Sequence, residues 1–305
     1  QNFCRQIKDT SLIRSFKLPG HLKNWQLVQF VFLAVFVRPV PGQEVLEPVE
    51  LKLESLGHIE GSAKWDWWQA RTACVPGEKE RWVTTMSETG KATSHDFHDI
   101  YESTSFDRGL TWSRPVRVPK LRRTKQPDGY EVAPGDLWPT WHSKTSRVLV
   151  TGKTFNFAEG KRENALREKV SYAVMDPKTG SWGPMRFLSM PEKDHGGFTI
   201  TGANAGNTQR VDLPDGDVLL PVRYWRNPKK YNFTSVVARC GFDGKTLSYK
   251  EHGTELSVPR GRGLYEPSLT GFGGQYFLTL RADHSAYVTR SKDGLHFEPI
   301  REWLF

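Results

Sequence analysis

Cysteine is scarce in this chain: three among 305 residues, Cys4, Cys74 and Cys240. That is too few for a disulfide framework to organise the fold. Neither a Cys-x-x-Cys nor a His-Glu-x-x-His pattern occurs, so the sequence indicates no zinc site, and no metal or other cofactor is expected. No long segment keeps a helical apolar period, which argues against a helix bundle. Long hydrophobic runs are missing too. The best, Leu27 to Val37, is too short for a comfortable membrane span. Arg14, Lys17 and Lys23 precede it and Val40-Pro41-Gly42 follows, the layout of a secretory signal. A buried first strand or a short anchor is the alternative reading. The expectation is a targeting segment over 1–43 and a body over 44–305 that is secreted, periplasmic or on the cell surface, with no stable membrane span. Cys4 would leave with the signal. Cys74 and Cys240 would then either pair or remain as buried thiols in apolar strands.

The formal charge is +9, but Arg5, Lys8, Arg14, Lys17, Lys23 and Arg38 stand against Asp9 alone in residues 1–43. More than half of the excess therefore lies outside the body. No basic helical stripe and no RNA-binding aromatic signature is present, so no nucleic-acid partner is expected. The run Lys120 to Lys125 reads as a solvated loop. A modest residual positive charge remains compatible with an anionic ligand.

What the chain does have is 27 glycines, 19 prolines and 12% aromatic residues, which suits many short strands joined by turns. The most informative segment is Ser105-Phe106-Asp107-Arg108-Gly109-Leu110-Thr111-Trp112. In such a Ser-x-Asp-x-Gly-x-Thr-Trp turn the acid accepts backbone N–H groups, the glycine takes a positive φ, and the tryptophan re-enters the sheet. Degenerate echoes follow at Asp176 to Trp182, Ser291 to Phe297 and, more weakly, Phe242 to Leu247. Between them run four hairpins: 70–77 into 81–86, 137–141 into 147–151, 208–213 into 218–223, and 266–269 into 276–281. Each leads to a strand pair carrying one of these turns, which predicts repeated four-stranded antiparallel sheets.

The turn pattern resembles the Asp-box of the sialidase (neuraminidase) family. That resemblance implies an all-β, sialidase-like β-propeller, six-bladed in the family, of which about four blades plus an N-terminal strand at Pro48 to Leu53 are present. It also implies that the ring is incomplete at its carboxyl end, with a third arginine and the nucleophilic tyrosine on blades beyond Phe305, so that the chain as it stands lacks the attacking group. In this family arginines hold the substrate carboxylate, an aspartic acid protonates the leaving group, and a tyrosine activated by a glutamate attacks.

Carried over residue by residue, Arg71 in Ala70-Arg71-Thr72-Ala73 resembles the first-strand arginine, although Thr72 and Ala73 replace the family's Ile-Pro. Asp96, in the loop Ser94-His95-Asp96-Phe97-His98-Asp99, resembles the acid/base aspartate, with Asp99 as the competing choice. Glu266 and Arg281, across one hairpin, resemble the glutamate and second arginine. Tyr265 is set aside as nucleophile because neighbouring strand residues face opposite ways. The histidines and aspartates of 95–99 also admit reading as metal ligands, but no second cluster accompanies them in the sequence. Trp65, Trp67, Trp68, Trp138 and Trp141 would be sheet core or a wall for sugar stacking. The implied activity is retaining hydrolysis of a terminal sialic acid or related acidic sugar, with sialylated or other acidic glycans as partners. A non-catalytic propeller that binds carbohydrate or protein, or a glycosidase or lyase for another acidic glycan, is the alternative.

Overall fold

The computed structural model describes residues 52, 59–91, 96–163, 165–227, 229 and 232–303. The chain divides into units Gln1–Leu53 and Glu54–Phe305, and the second carries the fold. The signal-like run and the Pro48 to Leu53 strand, apart from Lys52, lie outside the described residues.

Among the described residues the chain forms four antiparallel sheets in chain order. The first holds β1 (Trp65–Val75), β2 (Arg81–Gly90), β3 (Phe97–Ser105) and β4 (Val116–Arg117). The second holds β5 (Thr124–Lys125), β6 (Glu131–His142), β7 (Arg147–Ala158), β8 (Lys161–Arg162), β9 (Val170–Asp176), β10 (Ser181–Trp182) and β11 (Arg186–Phe187). The third holds β12 (Thr201–Asn204), β13 (Val211–Asp212), β14 (Asp217–Asn227), β15 (Asn232–Phe242) and β16 (Leu247–His252). The fourth is a plain meander of β17 (Tyr265–Phe272), β18 (Gln275–Arg281), β19 (Ala286–Ser291) and β20 (Arg301–Trp303). The expected hairpins 70–77/81–86, 137–141/147–151 and 266–269/276–281 pair as β1–β2, β6–β7 and β17–β18.

The third hairpin departs from expectation. Only Val211 and Asp212 pair with β14, opposite Leu219 and Val218, while the inner place farther along β14 belongs to Thr201–Asn204. The chain between them leaves the sheet. Pro221, with no N–H to give, falls on the part of β14 that this detour leaves without an inner partner, where a proline costs no ladder bond.

The core lies between successive sheets. Val83 and Ile100 pack with Val148, Val150 and Met175; Leu149 and Tyr172 pack with Val218, Leu220 and Val236; Leu219 and Val237 pack with Leu269, Leu278 and Leu280. Middle strands are therefore covered on both faces, so β7 and β15 read as near-continuous apolar and β-branched runs rather than alternating ones. Each fully buried aliphatic side chain contributes about 1.5–3 kcal/mol.

The turns close as their residues predict. Gly109 N donates to Ser105 Oγ at 2.8 Å, Thr111 N to Asp107 Oδ1 at 2.9 Å, and Trp112 Nε1 to Gly109 O at 3.0 Å. Gly109 has φ 88°, and a Cβ there would meet the Trp82 ring at 3.1 Å. The 291–297 turn repeats the set: Gly294 N donates to Ser291 Oγ at 2.9 Å and His296 N to Asp293 Oδ1 at 2.8 Å.

Three smaller expectations are corrected. Among the described residues Cys74 and Cys240 are free thiols on different sheets, the first exposed and the second buried. Arg123, inside the supposedly solvated 120–125 run, lies 3.7 Å over the Phe157 ring and bonds Glu131 at 2.6 Å. Of the five tryptophans, Trp65 and Trp68 are exposed, and Trp141 only fringes the core.

Candidate functional site

The inner strands of the four sheets share one irregularity. Register slips between Trp68 and Arg71 in β1, Gly135 and Trp138 in β6, Thr201 and Asn204 in β12, and Tyr265 and Ser268 in β17. Each slip contains a residue in the left-handed region: Gln69 at φ 57°, Asp136 at 53°, Gly202 at 58° and Glu266 at 48°. For a residue with a Cβ this costs roughly 1–2 kcal/mol. Such bulges re-aim a side chain and concentrate at functional sites.

Two of the four bulges carry the same charge pair. The residue before the bulge acid is registered with a cation on the next strand in both cases, Gly135 with Lys153 and Tyr265 with Arg281. Lys153 Nζ is 2.8 Å from Asp136 Oδ2, and both groups are buried. Arg281 Nη1 is 2.8 Å from Glu266 Oε2, and its side chain is 60% exposed. The hydrogen bond to Glu266 raises the pKa of Arg281 above the ordinary guanidinium value. In the third sheet, Asn204 and Arg223 face each other across β12 and β14 and share a buried carboxylate. Asn204 Nδ2 donates to Glu168 Oε2 at 2.5 Å and Arg223 Nη2 to the same oxygen at 3.2 Å, while Arg162 Nη2 holds Oε1 at 3.3 Å.

These positions are linked from sheet to sheet. Asp136 N donates to Gln69 Oε1 at 3.0 Å and Asn207 N to Asp136 O at 3.1 Å. Burial pushes the Arg223 guanidinium below its ordinary pKa, while the negative charges of Glu168, Glu266 and Asp136 work against that shift. Those three acids, Asp136 and Glu168 from the second sheet and its linkers and Glu266 from the fourth, thus share one electrostatic neighbourhood with Arg223 of the third. Arg71 stands over the Trp138 ring at 4.8 Å, and its Nη1 donates to Ala70 O at 2.9 Å. Among the described residues Arg71 Nε, Asp136 Oδ1 and Arg223 Nη1 are buried with no hydrogen-bond partner, a combination that a polar ligand can satisfy. Beside them Glu168 lines a groove of about 730 Å³ whose walls include Tyr130, Asn156, Arg167 and Phe187.

The structure brings Glu266 and Arg281 together but not all four residues expected from the sequence. Asp96 Oδ1 lies 3.0 Å from His98 Nε2 and 3.7 Å from Arg123 Nη1. Its rival Asp99 accepts from Arg123 N at 2.8 Å and pairs with Arg117 at 3.2 Å. Among the described residues neither aspartate touches Arg71, Glu266 or Arg281; His95 lies outside the described residues. Asp283, a conceivable local partner of Arg281, is instead committed to Arg262 at 2.7 Å and to the buried Tyr265 hydroxyl at 2.9 Å. Asp136, Lys153, Glu168, Asn204 and Arg223 escaped the sequence reading. The available signal was the repeat itself: an acid in the first strand of a hairpin and a cation in the second, at 136/153 as at 266/281.

No family model matches the chain, and no curated protein matches it in sequence. Solved structures do match in fold. A protein of unknown function from Dyadobacter fermentans aligns at 14% identity and TM-score 0.56, covering 81% of this chain and 71% of that one. Trypanosoma rangeli sialidase aligns at 16% identity and TM-score 0.57, covering 82% and 39%. The NanB sialidase of Streptococcus pneumoniae aligns at 9% identity and TM-score 0.54, covering 84% and 55%. The chain therefore has an all-β, sialidase-like β-propeller fold, and it spans about two fifths to just over half the length of these two sialidases.

Proposed function

We propose that this chain binds a terminal sialic acid or a related acidic sugar and carries the sugar-binding and acid/base groups of a sialidase-like, retaining exo-glycosidase. The observation that carries the reading is the Glu266–Arg281 pair, a carboxylate and a solvent-open guanidinium 2.8 Å apart at an inner-strand bulge. In this reading Arg281 and Arg71 clamp the sugar carboxylate through charge-assisted hydrogen bonds. Trp138 orients Arg71 by stacking, and Glu266 polarises the attacking group. Asp96, poised against His98, is the proton donor and then the base. The tyrosine nucleophile of the resemblance is assigned to no residue of this chain, so ligand binding rather than turnover is the first test. The proposed setting is export through the segment 1–43; among the described residues no helix is long and apolar enough to cross a membrane.

Calorimetric titration with a 2,3-unsaturated sialic acid analogue should show binding by the wild-type chain. Arg71→Ala and Arg281→Ala should each weaken it by about tenfold or more, since a hydrogen bond to a charged group is worth about 1.5–3 kcal/mol. Unchanged affinity in both variants, with near-UV circular dichroism intact, would leave the non-catalytic propeller as the better reading.

A further inference from the structure

Away from the inner strands, the linker before β12 meets the outer end of the third sheet in a cluster of nitrogen and oxygen ligands. The side-chain ligand atoms of His195, His252 and Glu255 all lie within 4.8 Å of one another. The two imidazoles are stacked, with centroids 4.1 Å apart and planes 8° from parallel. Glu255 Oε1 stands 3.5 Å from His252 Nε2 and 3.9 Å from His195 Nδ1. The hydroxyl of Tyr249 bonds His252 Nδ1 at 2.7 Å. That contact fixes the ring and leaves Nε2 turned toward Glu255, the second-layer arrangement that metal-binding imidazoles ordinarily have.

The charge balance also favours a cation. Among the described residues Arg226 alone, apart from the imidazoles, pairs with the two carboxylates, Asp194 at 2.9 Å and Glu255 at 3.5 Å, which leaves one negative charge in excess when both imidazoles are neutral. With bonds of about 2.0–2.2 Å, ligand atoms around tetrahedral zinc stand roughly 3.4 Å apart. The Glu255–His252 separation already fits. His195, whose side chain is 65% exposed and whose backbone N–H donates to Glu255 Oε1 at 2.6 Å, is the member whose ring would move in to close the rest of the gap.

We propose that His195, His252 and Glu255 form a binding site for a single zinc-class divalent cation, with water completing the coordination. Its consequence is a cross-link. The 193–199 loop, closed on itself by the Lys193–Thr199 bridge, becomes tied to the end of β16 and to the segment that leads into the fourth sheet. The proposal is independent of the glycosidase reading and runs against the sequence expectation of no metal. The sequence hides it because only His252 and Glu255 are close in the chain, and neither belongs to a Cys-x-x-Cys or His-Glu-x-x-His pattern.

The test is calorimetry of the chelator-stripped full chain with zinc chloride alone, paired with thermal melts. One equivalent should bind, and the melting temperature should rise with zinc concentration. His195→Ala, which removes an exposed side chain, should weaken binding at least tenfold and abolish the rise. Tyr249→Phe should weaken it by about tenfold, and His284→Ala should change nothing. Absence of both the heat and the melting shift in the wild type, or wild-type affinity in His195→Ala, overturns the proposal.

Discussion

At the scale of single residues, Asp107 shows how local chemistry leaves a measurable mark. Side-chain and backbone hydrogen bonds from Thr111, with one from Ser105, lower its pKa to about 2, against about 3.9 for a free aspartate. A depressed carboxylate stabilises the folded state above its unfolded pKa and loses that contribution as pH falls through the folded value. Denaturant midpoints should therefore decline between about pH 4 and pH 2, and Asp107→Asn should start lower and show a shallower decline over that window. This role was legible because every partner sits within six residues. Asp96 illustrates the opposite case. Its sequence position resembles that of a family acid, yet its neighbours His98 and Arg123 include a residue from the next linker that no local pattern announces. Cys240 is similar. Burial pushes its thiol up to about 12, so Cys240→Ser should leave the number of thiols that react with DTNB in the native protein unchanged, while Cys74→Ser should lower it by one.

At the scale of strands and hairpins, the repeated bulge is the informative unit. The two acid–cation pairs have the same topology and differ in burial, so they should differ in energetic consequence. Lys153→Met leaves the Asp136 carboxylate buried without its counter-ion and should cost about 3–5 kcal/mol in urea unfolding. Arg281→Ala leaves Glu266 beside water and should cost about 1 kcal/mol or less, which also makes it a usable variant for the binding test. Gly202 occupies the third bulge at φ 58°, where a Cβ would lie 2.5 Å from Ala165 O. Gly202→Ala should destabilise by more than about 1 kcal/mol. The hairpins themselves were readable from turn residues and β-branched runs. The detour that replaces 208–210 by Thr201–Asn204 as inner strand was not, because both segments are short and compete for one edge of β14.

At the scale of the whole molecule, a few buried polar side chains couple neighbouring sheets. Arg210 pairs with Asp212 at 2.9 Å and donates to Leu149 O at 2.7 Å and Thr140 O at 3.1 Å, reaching from the third sheet onto the second. Trp182 Nε1 bonds Glu102 Oε2 at 2.6 Å across the first and second. Arg210→Met strips Asp212 of its cation and two carbonyls of their donor, and should cost about 3 kcal/mol or more, read by the denaturant midpoint. A loss well below 1 kcal/mol would mean that the apolar layer between these sheets suffices without it.

The amino-acid sequence by itself determined the architecture's unit: a turn with serine, acid and glycine at set positions can close in few ways, and the apolar runs beside it can only be strands. It also pointed to Glu266 and Arg281, since a short hairpin brings its ends together wherever it is placed. Tertiary structure alone decided what surrounds them. Asp136, Glu168, Asn204 and Arg223 become neighbours because successive sheets bury their faces on one another, and that packing energy depends on the summed apolar area rather than on any local pattern. The same holds for His195 and His252, which the fold stacks ring on ring although the chain separates them by most of a sheet.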